Sequence, residues 1–190
     1  MKIENTQVYG LENSIRVSKF PKSIDASKCT SDITDTTYKL GSCKTGSGHD
    51  CMLKGIIVQF DLTMSEKAWP QAQRYHWFDI VSSQSTMHMI TKFDIRKQCN
   101  EWVDPRCIEV LEECVKAYSE DPSEENFCRM MYNIPSGFEL TAGISTNYLQ
   151  LKTMLGQREY HHIPEWRYLI CPWIHSLPRF DELVLGKGVS

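Results

Sequence analysis

The chain has 190 residues, 41% of them apolar and 11% aromatic, which suits one domain, residues 1–190, with a substantial core. Its formal charge is −3, but residues 101–125 hold nine acids against Arg106 and Lys116, so the remainder is mildly basic. That balance tolerates a phosphate-bearing small molecule and provides no Lys/Arg stripe for duplex nucleic acid. No run approaches 18 apolar residues, so no membrane-spanning helix is expected.

Eight cysteines occur without a CxxC pair or an apolar leader segment, the pattern of a cytoplasmic protein with reduced thiols. Pairing of Cys29 with Cys43, in a loop-rich stretch, stays open.

Residues 1–8 predict a short strand. "GLENSIRVSKF" then spaces Leu11, Ile15, Val17 and Phe20 at near-helical intervals until Pro21 ends the helix. Residues 22–48, rich in Ser, Thr, Asp and Gly, read as a loop-rich insertion. "GIIVQFDLTM" (55–64) alternates as a half-buried strand, and Ser65 is placed to cap a helix through Trp69 that carries residues 73–77. "QRYHWFDIVSSQSTMH" (73–88) reads as a helix end running into a polar loop whose hydroxyls and N–H groups suit an anion.

"MHMITKFDI" (87–95) predicts a second strand. Helices follow over 105–118, where Cys107 and Cys114 share an apolar side with Ile108, Leu111 and Tyr118, and over 122–132, ended by Pro135. "FELTAGIST" (138–146) is a strand, "NYLQLKTMLGQR" (147–158) a helix, and residues 164–178 a helix interrupted at Pro172. Residues 179–190 read as a C-terminal tail. The fold class is α/β of the α+β kind, with a mostly antiparallel sheet packed by helices.

This order of elements resembles that of the flavin-dependent thymidylate synthases. Their signature R-H-R-x-x-S-x-N-E-x-S-x-R-Y lies over residues 75–88 without gaps, keeping His76 and Ser85. Tyr75 and Trp77 stand where the family has arginines, Ser82 for its Asn, Ser83 for its Glu, Met87 for its Arg and His88 for its Tyr. Upstream, H-x-S/T-x-x-E-H-x-x-F-x-F meets His49, Cys51, Lys54, Gly55, Val58 and Phe60. Downstream, A-R-x-x-L-P resembles "CRMMYNIP", with Arg129 and Pro135 retained and two residues inserted, and Asn147 and Arg158 keep the family's interval. The resemblance spans about residues 1–178 and is to a diverged branch of the kind phage and prophage genomes carry.

It implies a flavoenzyme with FAD as cofactor. In the family a one-carbon unit passes from a folate by way of the flavin to C5 of dUMP, with NADPH as reductant and no cysteine nucleophile. Arg158 takes the catalytic position, stabilising charge on the pyrimidine. Ser83, Gln84, Ser85, His88 and Arg129 correspond to nucleotide-binding positions, and His49, Arg74, His76, Trp77 and Asn147 to the flavin side. That side is depleted: Lys54 replaces the Glu, and Leu149 replaces a helix Arg. A homotetramer sharing its sites between subunits is also implied, as is a descendant that binds a nucleotide without turning it over.

The same residues carry plainer readings. His49 suits an exposed turn, Arg129 and Arg158 suit helix ends beside the macrodipole, and Trp69, Trp77, Trp166 and Trp173 suit a core. His161, His162, Glu165 and His175 match no zinc spacing, and no metal is predicted.

Overall fold

The computed structural model describes residues 1–186. Four strands form one antiparallel sheet in the order β1-β2-β4-β3, with β1 at Lys2–Tyr9, β2 at Ile57–Ser65, β3 at Phe78–Ser83 and β4 at Glu139–Asn147. The central pair is in register from Ile57 opposite Asn147 to Ser65 opposite Glu139. Strict alternation aims Val58, Phe60, Leu62 and Met64 of β2 and Leu140, Ala142 and Ile144 of β4 into the interior. The edge strands are wetter: β1 is mostly exposed, with a bulge around Asn5, and β3 buries only Phe78. Ile80 is 38% and Val81 69% exposed on that free edge.

Ten short and medium α-helices among the described residues surround the sheet. Helix α1 (Leu11–Val17) starts behind Gly10 and packs on the 3-10 turn Cys51–Gly55 so closely that a Cβ on Gly10 would sit 2.4 Å from the Gly55 carbonyl oxygen. Inside the insertion, α2 (Asp35–Gly41) begins at a reciprocal Thr34/Thr37 capping box. Next come α3 (Trp69–Ala72), α4 (Thr86–Met89), α5 (Ile95–Gln98), α6 (Pro105–Glu120) and α7 (Glu124–Tyr132), the last two capped by Asp104 and Ser123. After β4, Asn147 caps α8 (Tyr148–Arg158). A π-helix (Glu165–Ile170) then runs into α9 (Cys171–Ser176), followed by α10 (Phe180–Leu185).

The main core lies between one sheet face and α8, the π-helix, α9 and α10, with Tyr148, Trp166 and Phe180 fully enclosed. A second cluster, Ile90, Ile95, Leu111, Met130 and Phe138 among others, joins α6 and α7 to residues 86–98.

Five expectations change. Ser65 ends β2 and gives its hydroxyl to Glu165 instead of capping a helix, and the helix expected to carry residues 73–77 is the single turn α3, which stops at Ala72. Residues 78–83 form β3 where a loop was expected, because the chain pairs with β4 from Phe78 opposite Thr146 to Ser83 opposite Ala142. Residues 87–95 are helical turns in place of a strand: Asp94 accepts from the Lys97 N–H and starts α5, and Ile90 and Ile95 turn to the same cluster. Cys107 is exposed while Cys114 is buried, since the apolar side of α6 runs through Ile108, Leu111 and Cys114. The stretch marked as a tail carries α10, whose Phe180, Leu183 and Val184 are core residues; residues 187–190 of that stretch lie outside the described residues. All eight thiols are free, so Cys29 and Cys43 do not pair.

Two devices fasten the insertion. The nearly buried Lys152 ammonium of α8 donates to the Gly41 and Cys43 carbonyls and to Asp50 Oδ2, at 2.8, 2.6 and 2.7 Å, which uses all three donors. Tyr38 of α2 donates to Glu182 of α10 at 2.6 Å.

Candidate functional site

The C-terminal end of α8 presents Arg158 to the 69–77 segment. Its Nε donates to the Tyr75 hydroxyl at 2.7 Å and its Nη1 to Gln71 Oε1 at 3.1 Å. The guanidinium carbon lies 4.8 Å from the Trp166 ring centre and 5.5 Å from that of Tyr75. Gln71 Oε1 is fixed in turn by the Trp166 indole N–H at 3.0 Å, and Tyr75 donates to Gln157 Oε1 at 3.1 Å. No carboxylate pairs with Arg158 among the described residues, and Nη2 makes no hydrogen bond there. The cradle is therefore built from neutral groups, and it keeps one guanidinium edge for an anionic or carbonyl oxygen. Close by, His161 has its pKa lowered by burial and by the charges of Arg158 and His162.

Along the same flank, Trp77 is held by its backbone, whose N–H donates to Gln150 Oε1 at 3.2 Å and whose carbonyl accepts from Thr146 at 2.6 Å. Its indole stays partly exposed, with the Lys54 ammonium 5.4 Å above it and the His76 ring edge-on at 4.9 Å. Arg74 is exposed and makes no ion pair among the described residues. Asn147 is buried, and its side chain is spent on the Gln150 N–H at 2.9 Å as the cap of α8. His49 is an exposed turn residue lining a separate cavity of about 780 Å³ between the end of α1 and the insertion.

The residues matched to nucleotide binding lie elsewhere. Beyond β3, the Gln84 N–H donates to the Thr141 carbonyl and its Oε1 accepts from the Thr141 N–H, both at 2.9 Å, so its amide prolongs the sheet. Ser83 is exposed at the strand end, Ser85 precedes α4 without a side-chain cap bond, and His88 is exposed on α4. Arg129 is exposed on α7, and its guanidinium makes no hydrogen bond or ion pair among the described residues, while its carbonyl accepts from Asn133. β3 separates Tyr75 from Ser85 by roughly 20 Å of extended chain. Within one chain, then, Arg158 meets Tyr75 and not the serines, and His49 joins neither group.

Sequence reasoning missed the cradle itself. Tyr75 registered as a lost arginine and Trp166 as core, and no local signal in the sequence joins two residues so far apart. His161, His162, Glu165 and His175 do not gather: the His161 ring accepts from the Ile163 N–H, His175 pairs with Asp181, and Glu165 takes the Ser65 hydroxyl. Among the described residues, no group of three or more such ligands is close enough to hold a metal.

The four-stranded antiparallel sheet with its covering helices is the fold of the flavin-dependent thymidylate synthases. The crystal structure of flavin-dependent thymidylate synthase ThyX from Helicobacter pylori complexed with FAD and dUMP matches 97% of this chain and 100% of its own, with a TM-score of 0.73 and 14% identity. A second structure of Thymidylate Synthase X from Helicobacter pylori, also with FAD and dUMP, matches 95% of each chain with a TM-score of 0.74 and 16% identity. No protein-family model and no curated protein matches the chain.

Proposed function

We propose that the chain is a thymidylate synthase-like flavoenzyme that binds a pyrimidine deoxynucleotide, with one-carbon transfer to C5 of dUMP or a related nucleotide as its reaction. The observation that carries this reading is Arg158, a half-buried cation fixed by neutral partners with an edge left open. A guanidinium so placed beside a pyrimidine carbonyl stabilises the negative charge that builds as C5 becomes nucleophilic. It needs no reorganisation to do so, because Tyr75, Gln71 and Trp166 already hold it.

The flavin side fits a flavin by the chemistry of its donors. The exposed Trp77 indole offers a stacking face, and Lys54 a cation for a pyrophosphate. A bound flavin supplies the redox chemistry of the reaction. His76 borders the same indole, while Asn147 caps α8 through the Gln150 backbone N–H, and the Gln150 side chain in turn holds the Trp77 backbone. The missing signature arginines favour a second reading, a nucleotide-binding descendant without turnover.

The separation of Arg158 from Ser83, Ser85, His88 and Arg129 supports sites assembled between copies of the chain, each supplying one half. The free β3 edge, with Ile80 and Val81 exposed and Met87 and Met89 just beyond, is the surface that suits a second copy.

Titration with dUMP followed by thermal unfolding tests the reading. A ligand at about 100 times its Kd adds roughly 2.7 kcal/mol. Stabilisation by dUMP together with flavin absorbance that stays with the protein after free FAD is removed supports the enzyme, and dUMP stabilisation without retained flavin supports the second reading. No shift with dUMP, dCMP, dTMP or FAD overturns both.

A further inference from the structure

We propose that the cavity beside Glu165 is a second binding site, for an organic cation that presents N–H donors from a guanidinium or ammonium group. The cavity, about 460 Å³, lies between the end of β2, the turn into α6 and the start of the π-helix, and none of the residues cradling Arg158 lines it. Its volume suits a small ligand.

Glu165 is only 4% exposed. One carboxylate oxygen accepts from the buried Ser65 hydroxyl; the other makes no hydrogen bond or ion pair with the described residues, and since no sealed side-chain oxygen among them lacks a partner, it stays reachable at the wall of the cavity that Glu165 lines. A carboxylate with one protein donor keeps acceptor lone pairs free, and in a largely water-excluded wall they suit the N–H groups of a ligand. Lys67 lines the cavity but forms no ion pair with Glu165, and Asp104, at the mouth, is already held by Arg106 at 2.7 Å. Trp102, 73% exposed, adds an indole face on which a cation can rest.

Charge selects the same class of ligand. The cavity opens where the acidic segment 101–125 begins, and that field concentrates cations and repels anions. A bare metal ion would find too few ligands, since the described residues offer no group of three. An organic cation brings its own donors and needs only one buried carboxylate and an aromatic face.

Isothermal titration of the full chain at low salt tests the proposal. Agmatine carries both a guanidinium and an ammonium group, spermidine carries only ammonium groups, and magnesium chloride controls for charge alone. Saturable agmatine binding is expected, weakened at least about tenfold in Glu165→Gln, which keeps an acceptor for Ser65. Lys67→Ala, which removes the competing ammonium, should tighten it. Agmatine binding more tightly than spermidine assigns the guanidinium, and the reverse assigns the ammonium. Lack of saturable binding overturns the proposal. So does equal affinity in the parent, Glu165→Gln and Trp102→Ala, or displacement by magnesium at equal charge. Trp102→Ala alters an exposed side chain, so its result stands even where the buried substitution disturbs folding. Nucleotide binding at Arg158 should be unchanged in all three variants, which keeps this test separate from the function proposed above.

Discussion

At the scale of single residues, the cradle of Arg158 makes the sharpest demands. Arg158→Lys keeps the charge but loses the planar fork, so Nε can no longer meet Tyr75 while another nitrogen meets Gln71. Nucleotide affinity measured by calorimetry should fall, and fall further in Arg158→Ala, by about 1.5–3 kcal/mol for a charge-assisted contact. Tyr75→Phe isolates positioning: the ring stays against Trp166 while the acceptor for Arg158 disappears. Affinity should drop by about 0.5–1.5 kcal/mol with a nearly unchanged melting temperature. Affinity equal to the parent in both Arg158 variants would remove this arginine from the site. Sequence spacing led to Arg158 but not to its partners. Their contact joins residues more than 80 positions apart, a separation over which neither periodicity nor motif spacing carries information.

At the scale of elements, the insertion depends on a few polar clamps in place of a large apolar face. Lys152→Met leaves Asp50 buried without its cation and two carbonyls without a donor, and should destabilise the fold by about 3–5 kcal/mol in urea unfolding. The other clamp responds to pH. Hydrogen bonds from Arg179 and then Tyr38 hold the Glu182 carboxyl down at about 2, against an ordinary 4.5. The contribution of Glu182 is thus complete above pH 4.5 and fades as pH falls toward 2. Urea midpoints measured across that window should decline less steeply in Glu182→Gln than in the parent. Strands β1, β2 and β4 and helices α1, α6, α7 and α8 were legible because their alternation or capping residues are local. β3 was not, since a six-residue edge strand with one buried side chain has no period to read. The turns of 86–98 misled because Met87, Met89 and Phe93 alternate like a strand, while the Asp94 side chain caps the turn α5 and breaks that alternation.

At the scale of the whole molecule, the two halves of the proposed site sit on opposite ends of β3, and a single 22.0 kDa chain does not close them on one ligand. Light scattering should return a multiple of that mass. A monomer that nonetheless binds dUMP would require one chain to hold the nucleotide with Arg158 alone. The uncovered strand also has a meaning for handling and for evolution of the chain. Backbone donors and acceptors along β3 are a template: a specific partner seals them, or unrelated strands stack on them and the protein polymerises. Solubility should therefore be worst for variants that fold but cannot assemble. Val81→Lys, which blocks assembly but sets a charge on the bare edge, is the exception expected to stay soluble and dispersed, where an assembly-blocking variant that adds no charge precipitates.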